Sequence, residues 1–347
     1  MSEMSAKVKE GQGLMPQLPE MVQALLDPKS YPSAPQRVEL VQTQMSFVFL
    51  TDNYVYKVKK PVNLGFLDYT TLEKRHALCK KEVELNRRLC PDVYLGIVPI
   101  TLDKGNILAG GQGEVIEYAV KMRRLPQGAM MDVLLTKNQV SPEMVGSVAR
   151  RLAEFHQKAE TNADISTFGN LDTIIQNTDE NFTQTEKYIS ITISRERYQH
   201  IKEYTDSFVE KNAISFHKRV ADGKIRDCHG DLHAAHICFT NGICIYDCIE
   251  FNDRFRYCDV ASEVAFLAMD LDHFGRAELS RSFVTAYISR SRDKGLKELL
   301  NFYKCYRAYV RGKVESFKLD DPHISEEEKG GVLAVATSYF ELAESYI

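Results

Sequence analysis

The hydrophobic periodicity of the chain changes near residue 125, and this change limits the possible folds more than any other feature. Before it, short runs of β-branched and aromatic residues are separated by tight turns, which is typical of antiparallel strands. After it, apolar residues mostly recur at helical spacing. The strand-like runs are RVELVQ, SFVFLT, YVYKVKK, GIVPIT and VIEYAVKMRRL. The sequence therefore predicts an α+β fold with two lobes.

One long helix interrupts the predicted sheet. Thr70 and Glu73 form a capping-box pattern at its start, and Pro91 ends it near Leu89. We therefore predict three regions in the 347 residues. These are a leader with a short helix (1–35), a small antiparallel sheet lobe with one long helix (36–124) and a larger, mainly helical lobe (125–347).

Charge and hydropathy narrow the classes of function. The formal net charge is -4 and the basic residues are dispersed, so we expect no nucleic-acid partner. No apolar run approaches the roughly 18 residues needed to cross a bilayer. The polar start of the chain lacks the apolar segment of a signal peptide. These features predict a cytoplasmic protein without membrane contact, and they leave the oligomeric state open.

Cysteine is the residue type that could most readily indicate zinc or disulfides. The eight cysteines contain no CxxC pair, and several lie inside apolar runs that resemble strands. A chain of this length needs no disulfides for stability. We therefore expect reduced, mostly buried thiols.

Residues 225–260 break the helical pattern of the second half. Two apolar runs, Ile237–Phe239 and Ile243–Tyr246, flank the Asn241-Gly242 step. Asn-Gly between apolar runs is a strong local signal for a β-hairpin. The sequence therefore predicts a hairpin at this point.

Reactive side chains lie at both ends of the predicted hairpin. Asp231 and His236 precede it, and Asp247 and Glu250 follow it. Because a hairpin brings its ends together, we expect these carboxylates and the imidazole to form one compact site. Such a cluster is typical of a catalytic centre rather than of a solvated surface.

This order of residues resembles the signature of the aminoglycoside phosphotransferase and choline kinase-like family, and is most similar to a bacterial branch of it. The motif is HGD, four residues, a polar residue, a hairpin and an Asp, and the likeness covers nearly the whole chain. The resemblance implies a protein kinase-like fold and an ATP-dependent kinase. It implies Asp231 as the base that accepts a substrate hydroxyl proton and His229 as a scaffold residue of the loop. It also implies Asp247 as the ligand of the Mg²⁺ that bridges the ATP phosphates.

The second metal position departs from the family pattern, because His236 stands where Asn is usual. Mg²⁺ prefers oxygen ligands, which suits Asp247. Imidazole is a softer ligand and suits Mn²⁺ or Zn²⁺ better. Either the second metal position is weaker in this chain, or His236 contacts phosphate directly. Glu250 is a further candidate for metal contact, with a solvated loop residue as the alternative.

A kinase-like fold also needs a strand lysine for the phosphates of the nucleotide and a helix glutamate that holds it. Lys57 lies mid-strand in YVYKVKK and is our candidate, whereas we expect Lys59 and Lys60 to reach solvent. Glu82 lies on the apolar face of the long helix, where a carboxylate requires a cation. The sequence therefore predicts a Lys57–Glu82 pair.

The remaining nucleotide contacts are predicted from position alone. No GxGxxG motif lies between the first two strands, so phosphate contact would depend on Ser46 and its neighbours. Backbone groups from Tyr118 through Val120 to Lys121 are expected to bind the adenine edge. No GxxxxGK[ST] motif is present, which excludes a P-loop enzyme.

Two other functions stay open at this stage. With His236 as a lesion, the chain would be a pseudokinase that binds nucleotide as a scaffold. Alternatively, the histidines and the aspartate of HGDLHAAH form the metal-ligand set of a hydrolase. His156, on an apolar helix face, is expected to be a packed core residue.

The phosphate acceptor, which we expect to be a small molecule, has two opposite candidate recognition elements. Arg307, Arg311 and Lys313 could bind an acidic or phosphorylated substrate if they are not simply solvated. Asp270 and Asp272 would instead favour a cationic substrate. The sequence does not choose between them.

Overall fold

The structure is a computed structural model that describes residues 18–240, 242–322 and 324–347. Most of the predicted leader, residues 1–17, and the turn residue Asn241 lie outside the described residues. The strands are β1 (Glu39–Gln42), β2 (Ser46–Leu50), β3 (Tyr54–Lys59), β4 (Tyr94–Asp103), β5 (Asn106–Ala109), β6 (Glu114–Arg123), β7 (Ile225–Asp227), β8 (Ile237–Thr240), β9 (Gly242–Ile245) and β10 (Tyr257–Asp259). The helices are α1 (Glu20–Ala24), α2 (Leu72–Arg87), α3 (Met131–Thr136), α4 (Pro142–Lys158), α5 (Ala163–Ser166), α6 (Leu171–Thr185), α7 (Arg195–Lys211), α8 (Ala213–Ala221), α9 (Asp253–Arg256), α10 (Val260–His273), α11 (Ala277–Ser291), α12 (Leu296–Phe317) and α13 (Glu326–Glu344).

The chain divides into two compact units. The sheet unit contains the described residues up to Val133 together with Ala235–Asp253, and the helical unit contains Leu134–Ala234 and Arg254–Ile347. The β8–β9 hairpin therefore belongs to the sheet unit, although we predicted it in the region 125–347. Its burial explains the difference, because Cys238 and Cys244 pack into the same core cluster as residues of α2, β4 and β6.

A six-stranded antiparallel sheet forms the sheet unit, in the order β1-β2-β3-β6-β4-β5. The strand β5 was not predicted. Its four residues precede the glycine-rich stretch 110–113, which the sequence predicts as the only turn between the last two strands of the sheet. The chain reverses into β5 at Lys104 and Gly105, which both have positive φ. Glycine adopts this conformation without steric cost, so the chain can return directly along β4.

The long helix of the sheet unit begins one residue later than its capping pattern indicated. Thr71, not Thr70, is the N-cap, and its hydroxyl accepts from the Lys74 amide at 3.3 Å. Thr70 instead bonds to the side chain of Asp68. The helix buries Cys79, Glu82 and Val83, and so it presents a carboxylate to the interior of the sheet unit.

The helical unit is organised around α10, of which every residue from Val260 to Leu271 is buried. Asp259 caps this helix by accepting from the Ala261 amide at 2.8 Å, and it also pairs with Arg219. Helical spacing of apolar residues predicts helices over 142–159, 260–271, 277–289, 296–317 and 326–347. The helices α4, α10, α11, α12 and α13 lie close to these bounds. The α+β class, with a small antiparallel part and a larger helical part, is confirmed. Among the described residues, no helix has both the length and the apolar character of a bilayer-crossing segment.

The cysteine prediction is wrong at one pair. Cys90, after α2, and Cys244, on β9, are joined by a disulfide, and the other six cysteines are free. The two residues are 154 positions apart, with Cα atoms 4.7 Å from each other. No local spacing in the sequence could indicate such a pair.

Candidate functional site

The predicted nucleotide lysine and its glutamate meet in the sheet unit. Lys57 Nζ lies 3.0 Å from Oε1 of Glu82 and 2.7 Å from Oδ1 of Asp247. Burial alone would lower the pKa of Lys57, but the charges of Asp247 and Glu82 outweigh it and hold that pKa well above its usual range. Lys57 is therefore a fixed cation beside two carboxylates.

Lys59 is a second cation at the same place, and the expectation that it reaches solvent is wrong. It is only 2% exposed, and its Nζ lies 2.6 Å from Oε2 of Glu82. Lys57 and Lys59 share one face of β3, and the strand remains buried up to its last residue.

Glu250 takes part in this network rather than facing solvent. It is 4% exposed, its carboxylate contacts Lys59 Nζ, and it accepts from the Tyr69 hydroxyl at 2.7 Å. One of its oxygens is therefore held by two donors. This arrangement favours a role in fixing Lys59 over direct contact with a metal.

Asp247 has the least common backbone conformation in this network. Its φ is 63°, in the left-handed region, and its amide donates to the Tyr94 hydroxyl at 3.2 Å. Its Oδ2 lies 3.5 Å from Nε2 of His236. Burial raises the pKa of Asp247, but Lys57 and His236 outweigh this effect and hold the pKa below its usual range. A strained residue that keeps an ionised carboxylate, 17% exposed, is typical of a functional site.

Ser46 lies at the start of β2 and is 2% exposed. The amides of Met45 and Ser46 both donate to Oγ1 of Thr43, at 3.2 and 2.9 Å. The backbone amides expected to contact phosphate are therefore engaged by the Thr43 side chain within the turn. It would have to open before these amides could bind a ligand.

Tyr118 and Val120 lie inside the sheet. In β6, Val120 pairs with Lys57 of β3 on one side and with Ile97 of β4 on the other. Tyr118 pairs with Pro99, and its ring stacks on His76 at a centroid distance of 3.8 Å. Because both edges of β6 are paired, its backbone is engaged in the ladder over this stretch.

The HGD loop belongs to the helical unit, where a buried carboxylate holds its backbone. The amides of His229 and Gly230 donate to Oε1 of Glu263 at 2.8 and 2.6 Å. Glu263, on α10, is fully buried. Gly230 has a φ of 89°, which favours glycine at this turn.

His156 holds the other side of Glu263. Its Nε2 lies 2.7 Å from Oε2 of Glu263, and its Nδ1 lies 2.7 Å from the Tyr287 hydroxyl. Burial raises the pKa of Glu263, but its bonds to His156 and to the loop lower it below its usual range. The prediction of His156 as a packed core residue is confirmed, because it is only 3% exposed.

Asp231 follows directly after Gly230 in the helical unit, with its carboxylate 27% exposed. One carboxylate oxygen is 3.6 Å from Nε2 of His233. Arg307 of α12 donates to the Gly230 carbonyl at 3.2 Å and to the Ser262 hydroxyl at 3.1 Å. The loop is thus held by Glu263 at its amides and by Arg307 at its carbonyl.

Comparisons of sequence place relatives of this chain in mycobacteria. Uncharacterised proteins of Mycobacterium tuberculosis H37Rv and of Mycobacterium bovis are 34% identical over 279 residues, which cover 80% of this chain and 54% of theirs. The chain therefore spans about half the length of the curated relatives it matches. No family model matches the sequence.

Comparisons of structure identify the fold. An amicoumacin kinase in complex with AMP-PNP, Ca²⁺ and Ami matches with a TM-score of 0.53 and 11% identity, over 88% of this chain and 89% of the kinase. A putative aminoglycoside phosphotransferase from Ralstonia eutropha JMP134 matches with a TM-score of 0.51 and 12% identity, over 90% of this chain and 92% of that protein. This chain has the protein kinase-like fold of aminoglycoside phosphotransferases. The resemblance predicted from the HGD motif is confirmed for the fold.

Of the three residues predicted to bind a divalent cation, Asp247 has the most suitable ligand atoms. Asp247 offers a charged, partly exposed carboxylate, which is the ligand type that Mg²⁺ prefers. Glu250 is engaged by Lys59 and Tyr69. His236 is buried at 2% exposure and offers nitrogen, a less suitable ligand for Mg²⁺.

Three residues of this machinery were not among the predicted site residues. The sequence could have indicated a role for Lys59, because it lies two residues after Lys57 and so shares a face of the strand with it. The sequence could also have indicated Glu263, because it is the only carboxylate between Val260 and Met269 in an otherwise apolar helix. The sequence suggests Arg307 only as a candidate for substrate binding, and nothing in its spacing indicates that it contacts the HGD loop.

Proposed function

We propose that this chain is an ATP-dependent phosphotransferase of the aminoglycoside phosphotransferase and choline kinase-like family, acting on the hydroxyl of a small molecule. The proposal depends on one arrangement: Lys57 contacts both Glu82 and Asp247. The backbone of Asp247 adopts a left-handed conformation at this position. A lysine, a helix glutamate and an aspartate after a hairpin are the parts that a kinase-like fold uses for nucleotide and metal.

The roles follow from the chemistry of phosphoryl transfer. The acceptor oxygen forms a bond to the γ-phosphorus, the bond from that phosphorus to the bridging oxygen breaks, and ADP leaves. Asp231 would accept the proton of the acceptor hydroxyl, and Lys57 would bind phosphate oxygens of the nucleotide. Glu263 and Arg307 would position the loop that carries Asp231, with buried His229 as its scaffold.

Asp247 is the proposed Mg²⁺ ligand, and the ion would neutralise charge on the phosphate oxygens. Of our other two metal candidates, Glu250 is assigned to Lys59. His236 lies close enough to Asp247 to orient its carboxylate. Its buried nitrogen is therefore proposed to hold Asp247 rather than to replace the usual Asn as a ligand.

The adenine contact is proposed to come later in the chain than Tyr118 and Val120. Both residues lie within paired β6, and Arg123 and Arg124 still donate to backbone carbonyls, of Val93 and Asn53. Leu125 is therefore the first residue after the strand at which an adenine edge could compete for backbone groups. Val120 would contribute apolar packing.

A transfer assay with purified protein tests this function. Wild type is incubated with ATP, Mg²⁺ and a panel of hydroxyl compounds, with ATP hydrolysis by water measured in parallel. We expect Asp231→Asn and Asp247→Asn each to lower turnover by on the order of 10³-fold or more. Asp231→Asn should still bind AMP-PNP, whereas Lys57→Met should bind it more weakly. Exposed Asp179→Asn, a substitution of the same type, serves as the control.

The outcomes separate the two other functions that the sequence left open. Bound AMP-PNP without any turnover that depends on Asp231 would support the pseudokinase scaffold. Stoichiometric zinc in protein purified without added metal would support the hydrolase. Comparing Mg²⁺ with Mn²⁺ in the same assay tests His236, because a metal-binding imidazole should favour Mn²⁺.

A further inference from the structure

Arg311 lies in the helical unit, close to the loop that carries Asp231. It follows Arg307 by one turn of α12, about 6 Å along the helix axis, and Arg307 contacts the carbonyl of Gly230. Burial alone would lower the pKa of Arg311, but Tyr339, Asp231 and Glu315 raise it above its usual range. Arg311 is therefore a permanent cation, and it is stabilised electrostatically by the carboxylate of Asp231, the proposed base.

The guanidinium of Arg311 makes one long contact with a carboxylate. Its side chain is 10% exposed, and its nearest carboxylate oxygen, on Glu315, is 3.5 Å away. Glu315 is held more closely by Lys318, at 2.7 Å. Within the described parts of the chain, no group accepts from the buried Nε–H of Arg311. A buried guanidinium with a spare donor is costly unless a further acceptor arrives.

The two acidic residues that could attract a cationic acceptor both accept hydrogen bonds from other residues of the helical unit. Asp270 is 4% exposed and accepts from the Ala234 amide at 2.8 Å. Asp272 accepts from Lys304 and from the Tyr346 hydroxyl, each at 2.7 Å. Of the two recognition elements that the sequence leaves open, the basic one contains a buried donor, Nε of Arg311, that has no acceptor among the described residues.

We propose that Arg311 binds an anionic group of the phosphate acceptor, so that the acceptor is a hydroxyl compound carrying a carboxylate or a phosphate ester. This inference rests on the proposed phosphotransferase function and names its substrate class. Guanidinium groups match the planar geometry of carboxylates and phosphates and bind them with paired hydrogen bonds. The acceptor anion would accept from the Nε–H of Arg311, for which the described residues provide no acceptor.

Titration calorimetry with inorganic phosphate tests anion binding without catalysis. The Lys57→Met background weakens phosphate binding at the proposed nucleotide position, so the remaining binding reports on Arg311. We expect Lys57→Met to bind phosphate and Lys57→Met/Arg311→Gln to bind it at least about tenfold more weakly. Equal binding by the two proteins would overturn the inference.

A second variant covers the case in which Arg311→Gln does not fold. Arg311→Lys keeps the charge and its contact with the Tyr339 ring, but it loses the paired geometry, so we expect phosphate binding several-fold weaker than in the parent. Unchanged binding in Arg311→Lys would also count against the site. Exposed Arg290→Gln, on α11, is the matched control and should bind like the parent.

The acceptor class is tested with glycerol, glycerate, glycerol 3-phosphate and ethanolamine. We expect transfer to favour one or both anionic compounds, and Arg311→Gln to raise the KM for them at least tenfold with little change for glycerol. Preference between glycerate and glycerol 3-phosphate distinguishes carboxylate from phosphate ester. Ethanolamine as the best acceptor would refute the inference while leaving the phosphotransferase intact, whereas absence of all turnover that depends on Asp231 would refute the function itself.

Discussion

Lys59 and Glu82 form a buried ion pair, with Nζ 2.6 Å from Oε2 and both residues no more than 2% exposed. The other oxygen of Glu82 lies 3.0 Å from Nζ of Lys57, so one carboxylate joins two lysines of the same strand. Glu250 provides a second carboxylate for Lys59. Because buried charges are tolerated only with their partners, removal of one member leaves the others uncompensated.

We therefore expect Lys59→Met to lower the free energy of unfolding by about 3 to 5 kcal/mol, as for other broken buried ion pairs. Lys57→Met should cost less stability, since its side chain is 13% exposed, but it should weaken nucleotide binding more. Urea denaturation and AMP-PNP titration of both variants check this division of roles.

Lys74 provides the control for Lys59, because it belongs to the same unit and pairs with Asp68 at the surface. Lys74→Met should change the free energy of unfolding by less than about 1 kcal/mol. Adding Glu250→Gln to Lys59→Met should recover part of the lost stability, since it neutralises an unpaired carboxylate. A Lys59→Met protein as stable as Lys74→Met would contradict the prediction.

Glu263 allows a test of loop positioning. Glu263→Ala leaves the amides of His229 and Gly230 without their acceptor, and we expect kcat to fall by roughly 10²-fold through misplacement of Asp231. The KM for ATP should change little, because the nucleotide residues lie on other elements. Glu263→Gln should retain more activity, since its carbonyl can still accept from the two amides.

Steady-state kinetics of the two Glu263 variants, with ATP and acceptor varied separately, provide the measurement. Glu278→Ala, on the exposed surface of α11, is the control for loss of a helix carboxylate. If Glu263→Ala raised the KM for ATP as strongly as it lowered kcat, a role limited to the loop could not be maintained.

Much of the fold could be predicted because helical periodicity is a local property. The bounds of α12 were predicted to the residue, and the Asn-Gly step indicated the β8–β9 pairing, although Asn241 itself lies outside the described residues. The strand β5 was missed because its four residues stand between glycines, where turn chemistry and a short strand give the same pattern.

The burial of charged side chains could not be predicted from the sequence. Lys59, Arg307 and Arg311 appear in the sequence as surface residues, because long charged side chains are usually solvated. Each is buried here by partners far along the chain: Glu250 for Lys59, Gly230 for Arg307 and Tyr339 for Arg311. The Lys57–Glu82 pair was predictable, since an inward carboxylate on an apolar helix face requires a cation.

Because the pKa of Lys313 is lowered, we expect the stability of the protein to depend on pH in the alkaline range. Lys313 is surrounded by neutral acceptors, Asn181 Oδ1 at 2.6 Å and Gln184 Oε1 at 2.7 Å. Burial lowers its pKa to about 8, against a nearby Glu180 that would raise it. The unfolded chain therefore binds the Lys313 proton more strongly than the folded one does, and this contribution to stability rises between about pH 8 and 10.5.

Comparing wild type with Lys313→Met isolates this effect from other titrating groups. The free energy of unfolding of wild type should gain about 1 to 3 kcal/mol relative to Lys313→Met between pH 7.5 and 10. Exposed Lys297→Met, on the same helix, controls for removal of a lysine. A difference between wild type and Lys313→Met that stays constant over this range would rule the effect out.

The disulfide between Cys90 and Cys244 predicts a definite thiol count. Unfolded without reductant, the protein should react with thiol reagents at the six free cysteines, and after reduction at all eight. Because the bond joins residues 154 positions apart, Cys244→Ser should lower the stability of unreduced protein by about 2 to 5 kcal/mol. The reduced wild type should lose a similar amount. Cys258→Ser, at a free cysteine, should leave the effect of reductant unchanged, and eight reactive thiols in unreduced protein would show that the bond is absent.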